Sequence, residues 1–219
     1  IDCQAMASAM VNPEAIGAMM KKGYPPTQML AVPLFHVSGC HAAFLAALRS
    51  ARRIVMMYKW DVQNALELIE RERVTALSAA PSMLIELLES PLFERHDTSS
   101  LSSVAGGGSA TPPRAARLFM DKVPDSYPGA GWGLTETNSN GSACTGRAFR
   151  AKPGTAGFLH PTVELRIRDE EDNELPQGVP GRLWIKSPTL VSGYWNRPEA
   201  NAKEFRDGWF DSGDIGYLD

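Results

Sequence analysis

Apolar positions along residues 30–111 fall alternately into short unbroken runs and into helical spacing, a pattern typical of parallel α/β structure. The apolar runs predict four buried strands, over residues 29–35, 53–57, 74–79 and 102–105. Helices are predicted over residues 40–50, after Asp61, after Pro81, and after Pro112-Pro113. The predicted fold is therefore α/β, with a doubly wound, mostly parallel sheet flanked by helices.

The pattern changes after residue 150, where apolar and charged residues alternate with the period of a half-exposed strand. This alternation predicts strands over residues 163–169 and 181–186, with an acidic turn at residues 170–173. We expect a small β-rich, barrel-like subdomain over residues 151–219, following an α/β part over residues 1–150. The boundary is expected near residues 147–154, which are basic and contain Gly and Pro.

Composition excludes several classes of protein. The 219 residues are 43% hydrophobic and 21% charged, which is ordinary for a globular chain, and the net charge of −3 gives no reason to expect nucleic acid as a partner. No stretch approaches the roughly 18 apolar residues of an integral membrane segment. Cys3, Cys40 and Cys144 are too scattered for a disulfide framework or a zinc site, so we expect free thiols and a cytoplasmic protein.

The two ends of the chain favour a piece of a longer protein. The first residue is Ile1 rather than Met, and Asp219 follows Gly-Tyr-Leu without a closing turn signal. A processed or tagged chain with natural ends is the alternative.

Residues 131–136, Gly-Trp-Gly-Leu-Thr-Glu, combine groups that suit a nucleotide. The ring of Trp132 offers a stacking surface for a purine, and Gly131 and Gly133 let the backbone approach a ligand closely. Thr135 offers a hydroxyl to a phosphate oxygen, and Glu136 offers a carboxylate to Mg²⁺. On these residues alone, a simple glycine-rich turn with an aromatic anchor is equally open.

Further strings occur in a fixed order around this one. They are Pro-Leu-Phe-His-Val-Ser-Gly at residues 33–39, Gly-Gly-Gly-Ser-Ala at 106–110, Gly-Arg-Leu-Trp-Ile-Lys at 181–186, Gly-Tyr-Trp-Asn at 193–196 and Trp-Phe-Asp-Ser-Gly-Asp at 209–214. Together they resemble the nucleotide-binding strings of the adenylate-forming enzymes, in particular the acyl-CoA synthetases. Trp132 stands where that family usually has tyrosine, and Ser212 stands where it has threonine. The resemblance covers residues 29–219.

The resemblance implies both a reaction and a set of binding residues. Enzymes of this family activate a carboxylic acid with ATP as an acyl-adenylate and then transfer the acyl group to coenzyme A. By position, Asp214 would bind the ribose hydroxyls of AMP, Thr135 the phosphate and Glu136 Mg²⁺. The adenine would be framed by Ser109, Ala130, Gly131 and Trp132, and Gly133 would let the backbone approach the nucleotide. His36 would lie beside the entrance for the carboxylate, although a lone histidine after an apolar run is more often structural.

The same resemblance predicts the partners of the chain. The substrate would be a carboxylic acid, and the apolar stretch at residues 34–37 and the open glycine turn at residues 106–108 would suit a fatty or aromatic one. A homodimer is an open alternative to a monomer. An amino-acid-activating adenylation domain of a peptide synthetase is the alternative enzyme, but no acidic residue occurs between His36 and Asp61 to hold an amino group. A non-catalytic nucleotide-binding scaffold is the alternative outside enzymes.

Two elements of the family do not occur in the sequence. Residues 1–28 contain no Ser/Thr/Gly-rich, lysine-containing phosphate loop, and the C-terminal domain with the catalytic lysine would follow residue 219. Loss of one such electrostatic group commonly costs about 10²–10³ in rate. We therefore expect negligible turnover from the 219-residue chain itself.

Overall fold

The computed structural model describes Gly17 and residues 20–219, and Cys3 lies outside the described residues. The larger of its two sheets has seven strands. They are β1 (Thr27–Leu30), β2 (Arg53–Met56), β3 (Ala76–Ala79), β4 (Ser103–Gly106), β5 (Tyr127–Trp132), β6 (Ser142–Thr145) and β7 (Phe158–Leu159). Their order across the sheet is β2-β1-β3-β4-β5-β6-β7. The first five strands run parallel, β6 pairs antiparallel with β5, and β7 pairs antiparallel with β6, which confirms the mostly parallel sheet.

Helices flank this sheet. A π-helical segment, Ser38–Leu45, continues as α1 (Ala46–Arg49), and a 3₁₀ turn covers Phe93–Arg95. The other helices beside this sheet are α2 (Val62–Glu72), α3 (Pro81–Glu89), α4 (Pro113–Lys122) and α5 (Gly146–Ala151). A further helix, α6 (Pro198–Glu204), contacts the smaller sheet instead. Asp61 is the N-cap of α2, as predicted, and its Oδ1 accepts the backbone N–H of Asn64 at 2.8 Å.

The main core lies between the seven-stranded sheet and its helices. Met29, Leu77 and Val104 come from adjacent parallel strands and are almost fully buried. Phe119 of α4 stacks on Phe149 of α5 with ring centroids 6.4 Å apart. The helix α5 overlaps the connector that was predicted at residues 147–154. Part of this connector is therefore helical, and its Phe149 side chain is buried in the main core.

The second sheet is antiparallel and has four strands. They are β8 (Glu164–Arg168), β9 (Gly181–Lys186), β10 (Phe205–Arg206) and β11 (Trp209–Gly216), in the order β10-β11-β9-β8. Ile185 and Phe210 point to a small core with Val163. On the other face, Arg168 and Arg206 lie over the Trp184 ring, with guanidinium carbons 4.8 and 4.4 Å from its centroid. The alternating pattern that predicted this β-rich part is thus confirmed.

The predicted strand over residues 29–35 is wrong in its second half. Strand β1 ends at Leu30, and Phe35 is 93% exposed. Pro33 has no N–H for a sheet hydrogen bond, and its carbonyl accepts the N–H of His36 at 3.1 Å in a turn. The apolar letters after Leu30 therefore belong to a surface turn rather than to a buried strand.

The division at residue 150 stays a prediction. Strand β7 belongs to the seven-stranded sheet although it follows that position, because Phe158 and Leu159 pair with β6.

Candidate nucleotide site

Two candidate segments meet at one edge of the seven-stranded sheet. Strands β4 and β5 are parallel neighbours in which Gly106 pairs with Ala130. The turn at residues 107–110 and the strand end at Gly131 and Trp132 therefore emerge side by side, where open α/β sheets bind ligands. Gly108 has a φ of +81°, which favours glycine, and Ser109 after it is exposed.

The loop after Trp132 is held in a tight, strained shape. A Cβ on Gly133 would lie 2.7 Å from the carbonyl oxygen of Ser139, so the chain itself requires glycine there. Asn138 and Ser139 have positive φ values of 54° and 67°, and the Asn138 side chain donates to the Thr189 carbonyl at 2.7 Å. The loop is thus anchored to the segment that follows β9.

A β-bulge presents Asp214. The register between β11 and β9 shifts between Asp211 and Ile215, and Asp214 is exposed. Buried Asp211 forms an ion pair with Arg182 at 2.6 Å and accepts the N–H of Gly213 at 3.2 Å. Ser212 donates its hydroxyl to the Leu183 carbonyl at 2.7 Å. These bonds fix the turn that carries Asp214, so serine at position 212 fulfils a structural role.

Trp132 and Asp214 are in direct contact. The indole Nε1 of Trp132 donates a hydrogen bond to Asp214 Oδ2 at 2.7 Å, although 82 positions separate the residues. The bond joins the end of β5 in the larger sheet to β11 in the smaller one. An aromatic ring and a carboxylate, the two groups that suit a nucleoside, therefore lie side by side between the sheets.

Glu136 is held from the smaller sheet's side of the molecule. The Tyr194 hydroxyl donates to Glu136 Oε1 at 2.8 Å, and the N–H of Val191 donates to the Glu136 carbonyl at 2.8 Å. Burial raises the pKa of Tyr194, and the hydrogen bond to Glu136 and the nearby Glu204 carboxylate raise it further. The hydroxyl therefore stays protonated and donates its hydrogen to the Glu136 carboxylate.

His36 lines a separate apolar cavity of about 260 Å³ at the carboxyl ends of β1, β3 and β4. The walls are Val32, Pro33, Phe35, His36, Ser38, Ser78, Ala79, Ala80, Met83, Gly107 and Gly108. His36 is exposed, and its Nδ1 lies 2.7 Å from the Ser38 hydroxyl. Gly107 and Gly108 belong both to the cavity wall and to the turn at residues 107–110, which lies beside the end of β5.

The candidate residues thus form three groups. Trp132 touches Asp214, Glu136 touches Tyr194, and His36 shares the cavity with the glycine turn. Thr135 and Ser109 are exposed next to these groups in the chain. Tyr194 was not among the site residues predicted from the sequence. It lies within the Gly-Tyr-Trp-Asn string at residues 193–196, and that string was the available signal for it.

Among the described residues, no helix has the length and apolar character of a membrane span.

Comparison with known proteins supports the resemblance. The family model described as AMP-binding enzyme matches residues 4–195. The chain is similar to 4-coumarate–CoA ligase 5 of Oryza sativa subsp. japonica, with 33% identity over 86% of this chain and 36% of that protein. It is also similar to the long-chain-fatty-acid–CoA ligase of Bacillus subtilis, with 33% identity over 86% of this chain and 33% of that protein.

A solved structure shows the same likeness in three dimensions. It is the o-succinylbenzoate coenzyme A synthetase of Bacillus subtilis in complex with ATP and magnesium, with a TM-score of 0.77 and 28% identity. The match covers 94% of this chain and 42% of that one. The match to the two curated ligases covers about a third of the length of each of those proteins. The matched model and these similarities show that the chain belongs to the AMP-binding enzyme family.

Proposed function

We propose that this chain forms the nucleotide-binding part of an AMP-forming acid–thiol ligase, which activates a carboxylic acid with ATP and transfers the acyl group to coenzyme A. The observation that carries the proposal is the contact between Trp132 and Asp214, because it brings a purine-stacking ring and a ribose-binding carboxylate together. The ligase names of the relatives support the same class of reaction.

The adenosine would lie between the two sheets. Asp214 would accept hydrogen bonds from the ribose hydroxyls, since a carboxylate is a pure acceptor with two oxygens. The Trp132 ring would pack against the adenine, with Ala130, Gly131, Gly133 and Ser109 around it. The Thr135 hydroxyl is exposed and would donate to a phosphate oxygen.

Glu136 is the residue that fits Mg²⁺. Its carboxylate supplies a hard oxygen ligand, and Mg²⁺ usually binds proteins through one or two carboxylates together with substrate phosphates and water. Among residues 20–219, no group of three or more Asp, Glu, His or Cys side chains lies close enough to hold a metal without a nucleotide. A bound Mg²⁺ would neutralise phosphate charge, while Glu136 orients it.

The apolar cavity would take the tail of the acid. Among the described residues that form its walls, none carries a carboxylate, and His36 is the only one with a titratable side chain. A fatty or aromatic tail therefore suits it, whereas the ammonium group of an amino acid would lose its hydration without gaining a counter-charge. This composition disfavours the amino-acid-activating alternative. His36 lies at the cavity wall, where the carboxylate would enter.

In the proposed reaction, a carboxylate oxygen attacks the α-phosphorus of ATP and pyrophosphate leaves. The thiol of coenzyme A then attacks the acyl carbon of the acyl-adenylate, and AMP leaves. Positioning of the two reactants supplies much of the acceleration. We further propose that the 219-residue chain alone has negligible turnover, since its sequence lacks the family's phosphate loop. Acid-dependent release of AMP by the purified chain would overturn that part of the proposal.

Calorimetric titration with AMP and Mg²⁺ tests the nucleotide site. Wild-type chain is expected to bind AMP, and Asp214→Ala is expected to weaken binding at least tenfold because the ribose acceptor is lost, a change of about 1.4 kcal/mol. Asp121→Ala, at an exposed position of α4, is the matched control and is expected to bind as wild type. Equal binding by all three proteins, or no binding by any, would indicate a scaffold without this site.

The cellular compartment and assembly are finer parts of the proposal. Cys40 and Cys144 are free thiols, and Cys144 is buried, which supports a reducing cytoplasm. A homodimer stays a prediction, which sedimentation equilibrium of the purified chain would test.

A further inference from the structure

Neighbouring residues hold both the backbone and the ring of Tyr194 in place. Its N–H donates to the Asn201 side-chain oxygen at 2.7 Å, and the Asn201 amide donates back to the Tyr194 carbonyl at 2.9 Å. Its ring meets the Phe205 ring edge-on, with centroids 5.4 Å apart. Phe205 in turn packs on the buried Phe210 at 4.7 Å. The backbone and the ring are therefore both immobilised against the smaller sheet.

This rigid mounting aims the hydroxyl at Glu136. The hydroxyl oxygen lies 2.8 Å from Glu136 Oε1. Val191, three residues before Tyr194, donates its N–H to the Glu136 carbonyl. One segment, residues 191–194, thus holds both the backbone and the side chain of Glu136. The remaining oxygen, Oε2, accepts no hydrogen bond from the described residues, so it is the atom open to a cation.

We propose that Tyr194 is a positioning residue that orients the Glu136 carboxylate toward nucleotide-bound Mg²⁺. The inference rests on the proposed function, in which Glu136 is the metal ligand. A hydrogen bond to one oxygen restricts rotation of the carboxylate and directs the other oxygen at the metal. Removing such an outer partner typically costs about 10- to 100-fold in metal affinity.

The bond also links the metal ligand to the smaller sheet. Asp214 lies in that sheet as well. The smaller sheet and the segment 191–194 packed on it therefore position two candidate nucleotide ligands, Asp214 and Glu136. Glu136 belongs to the strained loop after β5, which has two non-glycine residues with positive φ. A carboxylate on such a loop benefits from an outside anchor, because the loop alone leaves the side chain free to rotate.

The test compares the affinity of ATP with and without Mg²⁺ in three proteins, by calorimetry. They are wild type, Tyr194→Phe, which keeps the ring and loses the hydroxyl, and Tyr58→Phe, a control at a fully exposed position. We expect Tyr194→Phe to match wild type in EDTA and to lose about tenfold in the Mg²⁺ enhancement. Binding of Mn²⁺ in the presence of ATP, measured by electron paramagnetic resonance, is expected to weaken to the same extent.

Glu136→Gln and the double variant Glu136→Gln/Tyr194→Phe complete the design. Glutamine keeps a hydrogen-bond acceptor for Tyr194 but removes the charge that binds the cation. If Tyr194 acts through Glu136, adding Tyr194→Phe to Glu136→Gln causes no further loss. Far-ultraviolet circular dichroism and thermal unfolding of each variant identify loss of folding.

The outcomes separate the two proposals. If Glu136→Gln abolishes the Mg²⁺ enhancement while folded Tyr194→Phe retains it, Tyr194 only ties the loop to the sheet and the positioning role is overturned. If wild type shows no Mg²⁺ enhancement, or if Glu136→Gln retains it, the assignment of Glu136 and with it the proposed metal site are overturned. An equal loss in EDTA and in Mg²⁺ for Tyr194→Phe also contradicts positioning, since it would mark a general distortion of the nucleotide site.

Discussion

Trp132 Nε1 and Asp214 Oδ2 lie 2.7 Å apart, and their hydrogen bond bridges the parallel sheet and the antiparallel sheet. The bond occupies one oxygen of the carboxylate. Within the described residues, no donor contacts the other oxygen, and in the proposed site this oxygen would accept a hydrogen bond from a ribose hydroxyl. The indole N–H thus orients the carboxylate, and in the proposed site the indole ring would also stack on the adenine. A tyrosine, whose hydroxyl is at the far end of the ring, would place its donor elsewhere.

Trp132→Phe separates these two contributions, because it keeps an aromatic ring and removes the N–H. We expect its affinity for AMP to fall about tenfold, the equivalent of one charge-assisted hydrogen bond. Its affinity for 2′,3′-dideoxy-AMP should change much less, since that nucleotide has no ribose hydroxyl to donate to Asp214. Parallel titrations with the two nucleotides measure the difference.

Trp195→Phe is the matched control for that experiment, because the Trp195 side chain is 96% exposed. It should bind both nucleotides as wild type does. An identical loss for AMP and dideoxy-AMP in Trp132→Phe would show that the indole acts through stacking alone.

Local patterns explain why much of the fold could be predicted. The strand over residues 181–186 begins at Gly181, directly after Pro180, so its start is visible in the sequence. The N-cap at Asp61 depends on a bond within three residues, which makes it equally local. The strand predicted from residue 29 was too long because the apolar residues Leu34 and Phe35 follow Pro33 on an exposed turn. An apolar residue on such a turn does not indicate a buried position.

The contacts of the candidate site are of another kind. Trp132 and Asp214 are 82 positions apart, and Glu136 and Tyr194 are 58 apart, so each pair forms only when the two sheets pack together. The family resemblance implied that Trp132 and Asp214 share a ligand, but it gave no direct bond between them. The structural role of Gly133, which faces the Ser139 carbonyl, also depends on the path of the loop and has no sequence signature.

The helix α2 offers a test of local stability. Asp61→Ala removes the acceptor for the Asn64 N–H and is expected to lower the free energy of unfolding by about 1 kcal/mol. Asp61→Ser, which retains a capping oxygen, should lose much less. Urea unfolding of the three proteins measures both changes, and equal stability of Asp61→Ala and wild type would show that solvent satisfies the N–H just as well.

The aromatic pair beneath α4 and α5 offers a larger effect. Phe119 is fully buried and stacks on Phe149, so Phe119→Ala leaves a cavity and should cost about 3–5 kcal/mol of stability. Arg117→Ala, at an exposed position on the same helix, should remain within about 0.5 kcal/mol of wild type. Denaturant titration compares the variants. A small effect for Phe119→Ala would mean that α4 and α5 are loosely packed on the sheet.

His160 should make stability depend on pH in the range near neutrality. Burial lowers the pKa of His160 from its ordinary value of 6.5, because the charged imidazolium loses hydration. Below pH 6.5 the unfolded chain therefore binds a proton that the folded chain resists, and stability falls as the pH decreases. Above pH 6.5 both states are neutral at this position and the effect disappears. Urea unfolding of wild type and His160→Asn at pH 8 and pH 5.5 should give a smaller decrease for the variant, and equal decreases in the two proteins would show that His160 is hydrated in the folded state.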